Sequence, residues 1–177
     1  KQASAKFLVK KGYQPLNPVL FDKLAAYYAG YCLGKYTKGV ALFGSNGIGK
    51  TFFLNRIIRA KLYRCKDLVD TYRDDKEKFS DQLKRGAGLY DVIASDYLEI
   101  SIDEIGVEQP LNDFGNKNEV FADMLQIRHS MFENHSAMTH FTSNLTKDQF
   151  MARYGTRCLS RLKPMCYILE SAGDDLR

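Results

Sequence analysis

Residues 44–51 read Gly-Ser-Asn-Gly-Ile-Gly-Lys-Thr, and no other stretch constrains the chain so tightly. An apolar run, GVALF (39–43), precedes it, and TFFLNRIIRAKL (51–62), with Phe52, Phe53, Ile57 and Ile58 at helical spacing, follows. The pattern G-x-x-x-x-G-K-[ST] between a strand and a helix has a physical logic. The turn must point its backbone N–H groups inward around an anion, which needs positive φ and no Cβ in the way. The helix start behind it adds its own unpaired N–H groups and dipole. Gly44, Asn46, Gly47, Ile48, Gly49, Lys50 and Thr51 are therefore the candidate phosphate contacts, with Lys50 reaching the β- and γ-phosphates and Thr51 offering a hydroxyl to Mg²⁺.

Two further apolar strands end in polar side chains. YLEISID (97–103) closes on Asp103 and is followed by Glu104. An acid at a strand tip beside such a turn holds Mg²⁺, and the next carboxylate orients and deprotonates an attacking water. The pair points to hydrolysis rather than transfer to a small metabolite. AMTHFTS (137–143) leads into Asn144, placed to hold that water or to cap the following helix. Arg157 and Arg161 lie four residues apart, hence on one helix face. They suit a γ-phosphate on a neighbouring subunit, or are two surface arginines.

The remaining pattern predicts the frame. Residues 1–17 read as irregular, and Asn17-Pro18 starts a helix that stops before Thr37. A short strand over 62–65 precedes a charged helix over 67–84, with a further helix over 88–94. A loop with Gly106, Pro110 and Gly115 leads to a helix over 118–135. Thr146 caps a helix over 145–155 that stops at Gly155, a short helix covers 156–162, and a strand covers 165–170. Five apolar strands alternating with helices imply an α/β, three-layer P-loop NTPase with a five-stranded parallel sheet, its ligand at the strands' C-terminal ends. Two parts are expected: residues 1–36 as an N-terminal extension and helix, and residues 37–177 as the ATPase core.

With 177 residues, 45% hydrophobic and 27% charged, the chain suits one globular domain. No apolar run has membrane length and no signal peptide is visible, so no membrane partner is expected. Cys32, Cys65, Cys158 and Cys166 form no C-x-x-C pair and read as reduced thiols of a cytoplasmic protein. The first residue is Lys1 and not Met, compatible with a fragment. Residues 1–65 hold twelve Lys/Arg and one acid, Asp22, whereas 66–177 hold fourteen Lys/Arg and twenty acids. Such a basic block fits either a polyanion nearby or a solvated face. Tyr27, Tyr28, Tyr31 and Tyr36 read as packing rather than as base-stacking rings. Lys61, Arg64 and Lys66 are candidates to line a nucleic-acid pore.

GVALFGSNGIGKT, ISIDEIGVE, FTSNL, YGTRCLSRL and the terminal SAGDDLR together resemble an AAA+ ATPase of the bacterial replicative-helicase loader family, the DnaC/DnaI type. They are also similar to IstB-type transposition helpers. The resemblance covers residues 37–177 and implies an ATP- and Mg²⁺-dependent ATPase acting in DNA replication. It implies that Glu104 is the hydrolytic base, Asp103 the Mg²⁺ ligand, Asn144 the γ-phosphate sensor, and Arg161, with Arg157 second, the finger in trans. The implied partners are a replicative hexameric helicase, single-stranded DNA and further copies of the chain in a ring or spiral, with ATP at subunit boundaries. Sixteen residues, 162–177, follow Arg161, so no C-terminal helical lid is expected. Nothing before residue 17 is long enough for the helicase-binding segment that the resemblance implies, so this chain is expected to be the ATPase portion alone. The competing functions are a transposition helper binding duplex DNA, a small-molecule P-loop kinase, and an adaptor that binds ATP but hardly hydrolyses it.

Overall fold

The computed structural model describes residues 2–12, 18–84, 99–113 and 116–171. The Asn17 cap, the helix over 88–94, the first residues of the 97–103 strand and the terminal Ala-Gly-Asp-Asp-Leu-Arg lie outside them.

Five strands form one wholly parallel sheet: β1 (Gly39–Gly44), β2 (Lys61–Arg64), β3 (Ile100–Ile105), β6 (Thr139–Ser143) and β7 (Cys166–Ser171). Their order is β2-β3-β6-β1-β7, so β1 sits between two strands that come much later in the chain. Its neighbours require crossovers, and helices supply them on both faces. β1 shows how the sequence meets two cores. Val40 and Leu42 face one, with α2 (Pro18–Cys32) and the helix after the glycine turn. Ala41 and Phe43 face the other, with α4 (Cys65–Asp74), α5 (Lys76–Lys84), α6 (Val120–His135) and α7 (Lys147–Met165). Alternate side chains of a strand point to opposite faces, so a strand buried on both must be apolar throughout.

Several elements depart from the sequence pattern for identifiable reasons. Residues 2–10, expected to be irregular, form α1 (Gln2–Lys10). Its Leu8 is buried in the α2 core, and Phe7 stacks on Tyr28 with centroids 5.4 Å apart. Tertiary contact here outweighs a weak local signal. The helix after the glycine turn is shorter than expected: α3 (Lys50–Phe52) continues as a π-helical turn over Phe53–Ile58. Arg59 ends it in the left-handed region (φ 65°), freeing Lys61 to start β2. The single charged helix over 67–84 is two, because Asp75 takes an extended conformation and its carboxylate accepts from Lys78 N–H at 2.8 Å. That is an N-cap, and it restarts the helix. The loop before α6 holds a small antiparallel hairpin, β4 (Leu111–Asp113) and β5 (Asn116–Asn118). Thr146 caps α7 through a capping box with Gln149, as its sequence implies. Gly155 (φ 81°, ψ 163°) then breaks the helix into two segments.

Candidate phosphate-binding site

The site lies at the C-terminal ends of β1, β3 and β6. A cavity of about 320 Å³ is lined by Asn46, Gly47, Gly49, Lys50, Thr51, Phe52, Glu104, Thr142 and Asn144. Gly47 and Gly49 both have positive φ (82° and 84°), the conformation the turn demands and a side chain resists. Ile48 between them is buried and anchors the turn to the α1–α2 core. Lys50 is only 6% exposed, folded over the turn. Its Nζ donates to Gly44 O at 2.8 Å and Ser45 O at 2.6 Å. The ammonium therefore already lies inside the loop.

Facing the loop, β3 presents its acids through an irregularity. The β3–β6 register shifts between Ile102 and Ile105, and Glu104 has φ 61°. Such a bulge re-aims side chains. Asp103 turns inward, 2% exposed, while Glu104 projects into the cavity. Left-handed backbone in a glutamate costs about 1–2 kcal/mol. The local fold holds it: Glu104 N–H donates to Thr142 Oγ1 at 2.9 Å, and its carbonyl accepts from Val107 N–H at 3.3 Å.

Asp103 Oδ1 accepts from Thr51 Oγ1 at 3.1 Å and also from Thr142 Oγ1. Turn helix, acid strand and β6 thus meet at one carboxylate oxygen. The donors Thr51 and Asp103 are oxygens, as a hard divalent cation requires. Among the described residues no cluster of three His, Cys, Asp or Glu forms a metal site, so a cation here would complete its shell from phosphate oxygens and water.

Asn144 lines the cavity at the end of β6, but the residue that touches the acids is Thr142, which the sequence reading passed over. A Thr-Ser-Asn run offers three polar candidates, and only strand register selects among them. Arg157 is exposed and Arg161 half-buried on the second segment of α7. Neither is among the residues lining this cavity, so the structure does not bring them to the phosphate turn of their own chain. Arg153, on the first segment, also escaped the sequence reading. It donates to Gly106 O at 2.6 Å, in the turn after the acids.

The tyrosines pack at the other end of the sheet. Tyr27 stacks on Tyr31 and Tyr36, with centroids 6.1 and 5.6 Å away, and its hydroxyl donates to Lys38 O before β1. Burial first, then Cys166 and Glu99 nearby, raises its phenol well above the ordinary range. Lys61, Arg64 and Lys66 are all exposed. No cysteine is disulfide-bonded, and no helix among the described residues is long and apolar enough to cross a membrane.

No family model and no curated protein matches the chain. Solved structures do. The crystal structure of DnaI shares 22% identity at TM-score 0.63, covering 89% of this chain and 87% of that one. The DnaC helicase loader shares 17% at TM-score 0.64, covering 90% and 93%. The fold is the AAA+ P-loop fold. A third structure with this AAA+ fold, the replication initiator DnaA bound to AMPPCP and single-stranded DNA, shares 14% at TM-score 0.58, covering 89% and 47%.

Proposed function

We propose that the chain binds ATP in the 44–51 turn and hydrolyses it, as the ATPase part of a helicase loader acting in DNA replication. The observation that carries this is the meeting of Thr51, Asp103, Thr142 and Glu104 around the cavity that Lys50 adjoins. A glycine turn used only for chain reversal would have no need of a buried lysine beside a cavity that Glu104 also lines.

In this reading the turn's N–H groups and Lys50 bind the triphosphate oxygens, the ammonium exchanging its carbonyl acceptors for stronger, charged ones. Thr51 and Asp103 are the protein oxygens that would hold Mg²⁺, which supplies charge neutralisation when bound. Glu104 accepts a proton from water as its oxygen attacks the γ-phosphorus. The bond from that phosphorus to the bridging oxygen breaks, its electron pair leaving with ADP. Asn144 senses the γ-phosphate, with Thr142 fixing the acids beside it. Arg161, with Arg157 second, acts on the nucleotide of a neighbouring copy, so hydrolysis needs assembly into a ring or spiral.

The loader assignment draws on the likeness to DnaI and to the DnaC helicase loader. The partners are accordingly a hexameric replicative helicase and single-stranded DNA, in the cytoplasm. Co-purification with candidate ring helicases in ATP, using the full-length gene product, tests it. Retention of one helicase, lost in Lys50→Ala, is expected. Turnover with no helicase retained, but with duplex DNA bound, would contradict it in favour of a transposition helper.

A further inference from the structure

We propose, on the hydrolytic reading above, that Arg153 is a positioning residue: it clamps the turn after Asp103-Glu104 to the helix that carries Arg157 and Arg161. Several side-chain and backbone bonds hold this turn. Arg153 Nη1 donates to Gly106 O at 2.6 Å, and Nη2 donates to Glu108 O. Gly106 N–H donates to Glu108 Oε2 at 2.7 Å, and Tyr154 Oη donates to Glu108 Oε1. Arg153 Nη2 also lies 3.5 Å from Glu108 Oε1 and 3.4 Å from Oε2 of Glu119, the residue before α6.

Glu108 is 3% exposed, which is unusual for a carboxylate and costly unless it is fully bonded. The same carboxylate lies near the thiol of Cys65, the first residue of α4, and adds to the upward push that burial gives it. One buried acid and one arginine therefore join the starts of α4 and α6, the turn after β3 and the middle of α7. A buried carboxylate tied to a half-buried arginine is weak evidence for stability as its purpose. Its location supplies a reason. Val107, between the two clamped residues, donates its N–H to Glu104 O. Thr142 holds the N–H side of the same residue. Glu104 is thus suspended between β6 and the clamped turn.

The other end of the clamp lies on the first segment of α7, and Arg157 and Arg161 follow on the second. Arg153 sits two residues before Gly155, where φ 81° and ψ 163° interrupt α7 and a Cβ would meet nothing within 4 Å. A shift of the turn that follows Glu104 is carried by Arg153 to the segment boundary that orients the two arginines. The acids of one copy and the arginines it offers to the next are thereby coupled.

Steady-state hydrolysis and fluorescent-nucleotide binding on the full chain test this with Arg153→Ala and Arg153→Lys. Lysine keeps charge and stem but lacks the fork that reaches two carbonyls. Both variants are expected to lower kcat about tenfold or more while nucleotide Kd stays within about twofold. Should Arg153→Ala not fold, Arg153→Lys alone carries the test. A wild-type chain that hydrolyses while Arg153→Lys keeps its kcat overturns the clamp only. Loss of binding and turnover in step with lost folded fraction also overturns it. A wild-type chain without turnover overturns the hydrolytic reading, and the clamp with it.

Discussion

The hydroxyl of Thr142 accepts the backbone N–H of Glu104 at 2.9 Å, and its own proton goes to the Asp103 carboxylate. One side chain on β6 therefore fixes the backbone of one acid and the side chain of the other. Thr142→Val removes both bonds at nearly constant volume and costs the buried Asp103 carboxylate one of its donors, with Thr51 kept. We expect a stability loss of about 1–3 kcal/mol and a fall in turnover of about ten- to a hundredfold. Thr142→Ser keeps the hydroxyl and should restore most of both. Denaturant unfolding and ATP turnover measure the two effects, and a Val variant with wild-type turnover would remove Thr142 from the mechanism.

Glu104 separates chemistry from strain. Glu104→Gln should bind nucleotide as the wild type does and hydrolyse it at background rate. Glu104→Gly also loses turnover but relieves the left-handed backbone (φ 61°). It should be more stable by up to about 1 kcal/mol, after the entropy of glycine is subtracted. Melting of both variants checks this, and a Gly variant less stable than Gln would show the backbone to be unstrained.

The sequence made the phosphate turn and the sheet legible because both are local. Glycine spacing specifies a turn of positive φ, and β1 buried on both faces must be apolar at each position. Thr146 and Gln149 are likewise three residues apart and signal their own cap. What escaped depends on pairs distant in the chain. Thr142 is an ordinary strand threonine until register sets it beside Asp103. Glu108 and Arg153 look like surface charges until α7 lies against the turn after β3. The bulge that re-aims Glu104 leaves no sequence mark either, since glutamate at positive φ is a product of tertiary constraint.

Action in trans by Arg161 predicts complementation. Arg161→Ala alone and Glu104→Gln alone should both lack turnover while binding nucleotide. Mixing them builds some boundaries with an intact Glu104 on one copy and an intact Arg161 on the other. Partial recovery of turnover on mixing is expected, and a mixture as inactive as its parts would confine Arg161 to its own chain.

Alkaline pH should unfold the protein early. Burial pushes the Cys65 thiol far above its ordinary 9.0, with Glu108 adding to the shift, and burial does the same to Cys166. A raised folded-state value means that the native state holds these protons more tightly than the unfolded chain. The stabilisation is intact below about pH 9 and is lost progressively as pH climbs towards the folded-state values, at about 1.4 kcal/mol per unit per thiol. Urea unfolding at about pH 8 and about pH 10 should show the drop, and Cys166→Ala should make it shallower. An unchanged difference between the two pH values in that variant would exclude Cys166 as a source.

Titration of wild type, Lys50→Ala and Glu104→Gln with a fluorescent ATP analogue, paired with phosphate release from ATP, tests the site most directly. Tight binding and release by wild type, tight binding without release by Glu104→Gln, and affinity weakened about ten- to a hundredfold in Lys50→Ala are predicted. Equal affinity in wild type and Lys50→Ala would contradict the site.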